Sequence, residues 1–151
     1  MQTFDNRKGR HCAFSLNLHL VFLTKNKAAH FDADHLKILK CVFESVCKDF
    51  GSRLISMRGR DDYVELRVTY PARVAPASLV NSLKGVSSRM LRKQFSDFEK
   101  VFGDTLWSPS YLAADGGAPA GFAEKFIQMR ADLQAWEKLQ VQQASRREMQ
   151  D

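Results

Sequence analysis

The chain has 151 residues, of which 44% are hydrophobic and 26% charged, and its formal net charge is +6. That length supports one folded domain with a real core, and the composition excludes a disordered, fibrous or disulfide-framed class. The positive charge leans towards a polyanionic partner without distinguishing nucleic acid from a solvated basic surface.

Residues 1–10 read as a loose basic arm with no apolar signal segment. From Cys12 to Lys25 the chain alternates. Phe14, Leu16, Leu18, Leu20 and Phe22 share one face, and Ser15, Asn17, His19, Val21 and Leu23 the other. A period of two over this length predicts a strand, and its partly apolar second face makes it either central or covered on both sides. Asp34 is the expected N-cap of a helix running to about Phe50. Leu36, Leu39, Val42, Phe43, Val46 and Phe50 form its apolar stripe. Gly51 follows where a left-handed C-cap residue is wanted. Two strands come next, Arg53–Arg58 and Tyr63–Tyr70, joined by a hairpin turn at Gly59-Arg60-Asp61-Asp62.

Pro71 and Pro76 punctuate a loop, and Ser78 is the expected N-cap of a second helix. Leu79, Leu83, Val86, Met90 and Leu91 form its apolar face. Lys84, Ser88 and Arg92 lie on another face, with Arg89 and Lys93 beside them. After a polar loop, Trp107–Ala114 reads as a fourth strand, stopped by Gly116-Gly117. Pro119 opens a final helix carrying Phe122, Phe126, Met129, Leu133 and Trp136 at helical spacing. The polar tail from Gln140 is expected to fray. The expected organisation is thus an arm over 1–10, one domain over 11–139 and a tail over 140–151.

The order β-α-β-β-α-β-α predicts an α+β fold. It is a ferredoxin-like βαββαβ sandwich on an antiparallel sheet, with an added C-terminal helix. No apolar run is long enough to span a bilayer. Cys12, Cys41 and Cys47 show no metal-ligand spacing and fit reduced thiols. The expectation is a cytoplasmic protein with no membrane partner. This fold hosts many activities, so function has to come from a site.

The segment Leu79-Val80-Asn81-Ser82-Leu83-Lys84-Gly85-Val86-Ser87-Ser88-Arg89 resembles the second helix of a known family. That family is the HUH-nuclease transposases of insertion sequence family 200/605. Leu106-Trp107-Ser108-Pro109-Ser110-Tyr111, then Gly116-Gly117-Ala118-Pro119, is similar to the same family, as is the opening His19-Leu20-Val21-Phe22-Leu23-Thr24-Lys25. The resemblance runs from about Gly9 to Gln134. It implies the HUH-transposase type of the fold, a homodimer, and recognition of hairpin ends in single-stranded DNA. It also implies cleavage by one tyrosine, with a magnesium or manganese ion held by two histidines and a glutamine. The ion serves as Lewis acid on the phosphate, and the tyrosine becomes covalently attached.

The catalytic positions depart from that pattern. Where the family has Asp-His-hydrophobic-His, this chain reads Asp62-Tyr63-Val64-Glu65. Period two puts Tyr63 and Glu65 on one face, but a phenol stays protonated at neutral pH and one carboxylate is a weak cation site. Where the family has Tyr-x-x-x-Gln, the chain reads Phe126-Ile127-Gln128-Met129-Arg130. Phe126 has no hydroxyl to attack a phosphate, and Arg130 opposes a divalent ion. All four positions are substituted, so no metal cofactor is expected, with Glu65 a weak candidate ligand only. The expectation is that Arg130 pairs with Glu65.

Polyanion binding needs grouped basic side chains. The candidate DNA contacts are Arg10 in the arm, Lys25 after the first strand, Arg60 in the hairpin, and Lys84, Ser87, Arg89, Arg92 and Lys93 on the second helix. Arg58 and Arg67 flank the substituted site. Trp107 and Tyr111 are candidate stacking platforms for unpaired bases, or core residues. His19 is a sheet-face residue near the site, or a DNA contact. Three functions follow: a DNA-binding protein that no longer cuts, an active transposase with a rearranged site, or a protein-interaction module. If the final helix completes the partner subunit's site, as the resemblance implies, a heterodimer with an active relative would be poisoned.

Overall fold

The computed structural model describes residues 16–115, 124–129 and 142–148. The backbone divides into two compact units, Met1–Ala118 and Pro119–Asp151. In the first, β1 (Leu16–Thr24), α1 (Ala33–Asp49), β2 (Arg53–Gly59), β3 (Tyr63–Tyr70), α2 (Pro76–Gln94), α3 (Asp97–Phe102) and β4 (Trp107–Asp115) follow in chain order. The sheet order is β2-β3-β1-β4, and every neighbouring pair is antiparallel. β1 and β2 therefore run the same way with β3 between them, the split arrangement of a ferredoxin-like fold.

The alternation in β1 decides its central position. Leu18, Leu20 and Phe22 join Val64, Leu66 and Val68 of β3, Leu39 and Phe43 of α1, and Leu79, Leu83 and Leu91 of α2 in one core. On the second face of β1, His19, Val21 and Leu23 are buried too. Each fully buried Leu or Phe contributes about 1.5–3 kcal/mol, so a strand buried on both faces anchors the sheet.

Local chemistry moves two helix starts away from where the sequence pattern sets them. α1 is capped by Asp32, not Asp34. The Asp32 carboxylate accepts from the His35 backbone N–H at 2.9 Å, and the His35 Nδ1 accepts from the Asp32 N–H at 3.1 Å. This is a reciprocal capping box with histidine in the place usually held by Glu or Gln. α2 is capped by the Ala75 backbone, not Ser78, and Pro76 stands in its first turn. Proline needs no acceptor for a missing N–H and has its φ preset, so the helix starts without a side-chain cap. At the end of α1, Gly51 takes φ 69° as expected.

The stretch after α2 is not only a polar loop. Phe95, Phe98 and Phe102 recur at helical spacing, and α3 buries Phe98 and Phe102 before Gly103 ends it at φ 72°. The hairpin residues Asp61 and Asp62 turn their carbonyls onto the β1–α1 connection. Asp61 O accepts from the His30 and Phe31 N–H groups, and Asp62 O accepts from the Thr24 N–H and hydroxyl. Residues 124–129 and 142–148 are helical. The first agrees with the expected final helix. The second lies in the polar tail, where Gln142, Gln143, Ala144, Arg146, Arg147 and Glu148 favour helix intrinsically. The arm over 1–10, the start of the first strand at Cys12, the stop at Gly116-Gly117, and Phe122, Leu133 and Trp136 lie outside the described residues.

Candidate functional site

The register of β1 on β3 brings Tyr63 and Glu65, which the resemblance sets at the family's catalytic positions, together with β1. Val21 pairs with Glu65, Leu23 with Tyr63 and His19 with Arg67, so these six side chains share the second face of the sheet. His19 lies diagonally across from Glu65, and its Nε2 is 2.7 Å from the Glu65 Oε1. The carboxylate accepts, so Nε2 carries the proton. The His19 side chain is 1% exposed and that of Glu65 14%. Such burial removes His19 as a DNA contact and leaves the sheet-face reading.

Arg58 pairs with Glu65 across β2–β3, and its Nε is 4.0 Å from the Glu65 Oε2. Glu65 is therefore bracketed by the His19 imidazole and the Arg58 guanidinium from its two flanking strands. Arg130, its expected partner, lies outside the described residues. Tyr63 is buried. Phe126 is in the helical segment 124–129.

These side chains do not fit a divalent metal. A ligand must offer a lone pair, and the His19 Nε2 is committed as a donor to Glu65. A phenol at position 63 is protonated near neutrality. Among the described residues, no three His, Cys, Asp or Glu side chains gather at one point.

The basic candidates separate into two groups. Lys25, Lys84 and Ser87 make contacts within the protein, although the Lys25 side chain is still 38% exposed. Lys25 donates to Phe102 O at 3.3 Å and stands 3.9 Å from Asp104. Lys84 donates to Ser108 O at 2.8 Å and Pro109 O at 3.4 Å, with its ammonium 5.3 Å from the centre of the Tyr111 ring. Burial lowers its pKa. Ser87 was expected to touch DNA, but it is fully buried. Its hydroxyl donates to Leu83 O at 2.6 Å and accepts the Trp107 indole N–H at 2.9 Å. Trp107 is consequently a core residue rather than an open stacking platform, and Tyr111 is half-buried under Lys84.

Arg60, Arg89, Arg92 and Lys93 remain at the surface. Arg60 is exposed and lines an open cavity of about 660 Å³ with Arg58, Gly59, Asp61 and Tyr63. Arg89 and Arg92 line an open cleft of about 550 Å³ between α2 and residues 104–107, with Lys84 and Gly85 also in its lining. Lys93 is exposed one residue beyond Arg92. Arg10 lies outside the described residues. The cleft is the feature that sequence reasoning missed: its wall is fixed by Ser88, whose hydroxyl accepts the Leu106 N–H at 3.1 Å. The helical spacing of Asn81, Gly85, Arg89 and Arg92 marks one side of it, but no local pattern marks the other.

Residues 12–129 match the family described as Transposase IS200 like. The ISDra2 transposase TnpA of Deinococcus radiodurans is 28% identical over 108 residues, covering 71% of this chain and 77% of its own. The transposase of insertion sequence element IS200 from Salmonella typhimurium is 22% identical over 124 residues, or 82% of each chain. Among solved structures, a Deinococcus radiodurans R1 protein provisionally described as a transposase superimposes with a TM-score of 0.68. It is 24% identical and covers 89% of this chain and 97% of its own. A REP-associated tyrosine transposase bound to a REP hairpin gives a TM-score of 0.53 at 9% identity, over 73% of this chain and 61% of that one.

Proposed function

This chain belongs to the IS200-like transposase family, and on that premise we propose that it binds single-stranded or hairpin DNA without cutting it. The observation that carries the second half is the His19–Glu65 hydrogen bond of 2.7 Å, at a position where the family resemblance calls for a metal-binding histidine. That bond engages the Glu65 Oε1, and a single carboxylate beside a phenol is a weak ligand set for a divalent ion. Phe126 supplies no nucleophilic oxygen. A fold neighbour bound to a REP hairpin supports hairpin DNA as the ligand class, and the exposed Arg60, Arg89 and Lys93 supply phosphate contacts. The homodimer, and a poisoned heterodimer with an active relative, are proposed on the family's architecture.

The test is binding and cleavage in parallel, on labelled single-stranded hairpin DNA with and without magnesium or manganese. A salt-sensitive mobility shift with no nick and no covalent adduct is expected. The single reversion Phe126→Tyr should remain inactive. Restoring cleavage should require Tyr63→His, Glu65→His and Arg130→Gln as well, because nucleophile and metal ligands act as a unit. A metal-dependent nick by the unaltered chain would overturn the inactive reading. Absence of any shift would overturn the DNA reading and favour a protein partner.

A further inference from the structure

The described glycines Gly51, Gly59 and Gly103 each answer an internal demand. Gly51 and Gly103 take positive φ, and a side chain at Gly59 would collide with Leu36 of α1. Gly85 answers none. It lies in the middle of α2, and among the described residues a Cβ built on it meets nothing within 4 Å. Glycine weakens a helix interior relative to alanine, because it has more backbone freedom to lose. A glycine that is costly to its helix and that no described neighbour requires points to something that approaches the backbone closely.

The surroundings of Gly85 say what that is. Asn81, Gly85, Ser88, Arg89 and Arg92 follow one another along one face of α2 and line the cleft of about 550 Å³. Across it stand residues 104–107, held by the Ser88 hydroxyl on the Leu106 N–H. Three cations, Lys84, Arg89 and Arg92, line the cleft against one carboxylate, Asp104, which is itself 3.9 Å from Lys25. Arg92 donates through Nε to Ser88 O at 3.2 Å. That bond orients the guanidinium, whose fork has five N–H donors in all. Val86, Leu106 and Trp107 contribute apolar surface beside these charges.

We propose that this cleft seats the sugar-phosphate backbone of a nucleic-acid strand, which approaches α2 directly over Gly85 while Arg89 and Arg92 hold its phosphates. Charge complementarity favours a polyanion over a second copy of a chain whose own net charge is +6. The proposal rests on the DNA-binding reading above and narrows it to one surface. Lys84 acts at a distance: held by the β4 carbonyls, it contributes positive potential to the cleft rather than a flexible grip.

The experiment compares the full chain with Gly85→Ala, Gly85→Leu and Arg89→Ala. Affinity is measured by fluorescence anisotropy on a labelled single-stranded DNA hairpin across a series of salt concentrations, and Tm by circular dichroism. Both Gly85 variants should match or exceed the unaltered Tm, since the position is open and each residue is a better helix former. Gly85→Leu should nevertheless weaken binding by about tenfold or more, the loss of one charge-assisted hydrogen bond. Arg89→Ala should reduce the slope of log affinity against log salt by about 0.7–0.9, the removal of one phosphate contact. Unchanged affinity in a folded Gly85→Leu overturns the cleft while the DNA reading stands. An unchanged salt slope in Arg89→Ala overturns it independently, whatever the stability of the leucine variant. An unaltered chain that binds no hairpin removes both readings together.

Discussion

His19 and Glu65 behave as one unit joined across 46 residues of sequence. Glu65→Leu alone should destabilise the protein by about 1–3 kcal/mol, because a buried imidazole N–H loses this acceptor. Replacing both, as His19→Leu with Glu65→Leu, should recover much of that loss, since an apolar pair of similar volume needs no hydrogen bond. A double-mutant cycle in urea should return a coupling of about 1–3 kcal/mol. Coupling near zero would mean that the pair does not hold the site closed. Period two in β3 makes the shared face of Tyr63 and Glu65 legible from sequence alone. The partner of Glu65 is not legible that way, because it depends on the β1–β3 register.

The starts of α1 and α2 were displaced by backbone chemistry at single positions. For α1, Asp32→Ala should lower Tm clearly more than Asp34→Ala, because only Asp32 accepts the His35 N–H. That same N–H is the main reason the Asp32 carboxyl titrates below its ordinary value of 3.8. A depressed carboxylate stabilises the fold at pH above its unfolded value, and the contribution is lost as pH falls through the folded one. The Tm gap between the unaltered chain and Asp32→Ala should therefore shrink as pH drops below about 4. A gap independent of pH would assign the cap elsewhere. α3 could have been found from Phe95, Phe98 and Phe102 with Gly103 behind them, yet Ser96 and Asp97 read as loop chemistry and masked it.

At the scale of the whole molecule, one core ties α1 and α2 to a sheet whose central strand is buried on both faces. Two cysteines on α1 report on it. Cys47 is buried, and burial first, with Glu44 second, raises its thiol pKa to about 11, whereas Cys41 is exposed. Thiolate is the reactive form, so alkylation followed by peptide mapping should modify Cys41 in the folded protein. Cys47 should react only at the rate of global unfolding, and prompt modification of Cys47 would show that α1 opens locally. Among the described residues, no helix is long and apolar enough to cross a membrane.

Local alternation and helical spacing were sufficient for the order of the four strands with α1 and α2, and for the ends of β3, because side-chain burial repeats along one segment. The identities of Tyr63, Glu65, Phe126 and Arg130 are likewise facts of sequence, and the family resemblance alone implies that they stand at substituted catalytic positions. Tertiary structure alone decided what the polar side chains do. Ser87 faces the indole of Trp107, Lys84 reaches the carbonyls of β4, and Glu65 meets His19, each through chain segments more than 19 residues apart. A charge or hydroxyl on a helix has the same local pattern whether it meets water, DNA or a distant carbonyl. Only packing decides which partner reaches it first.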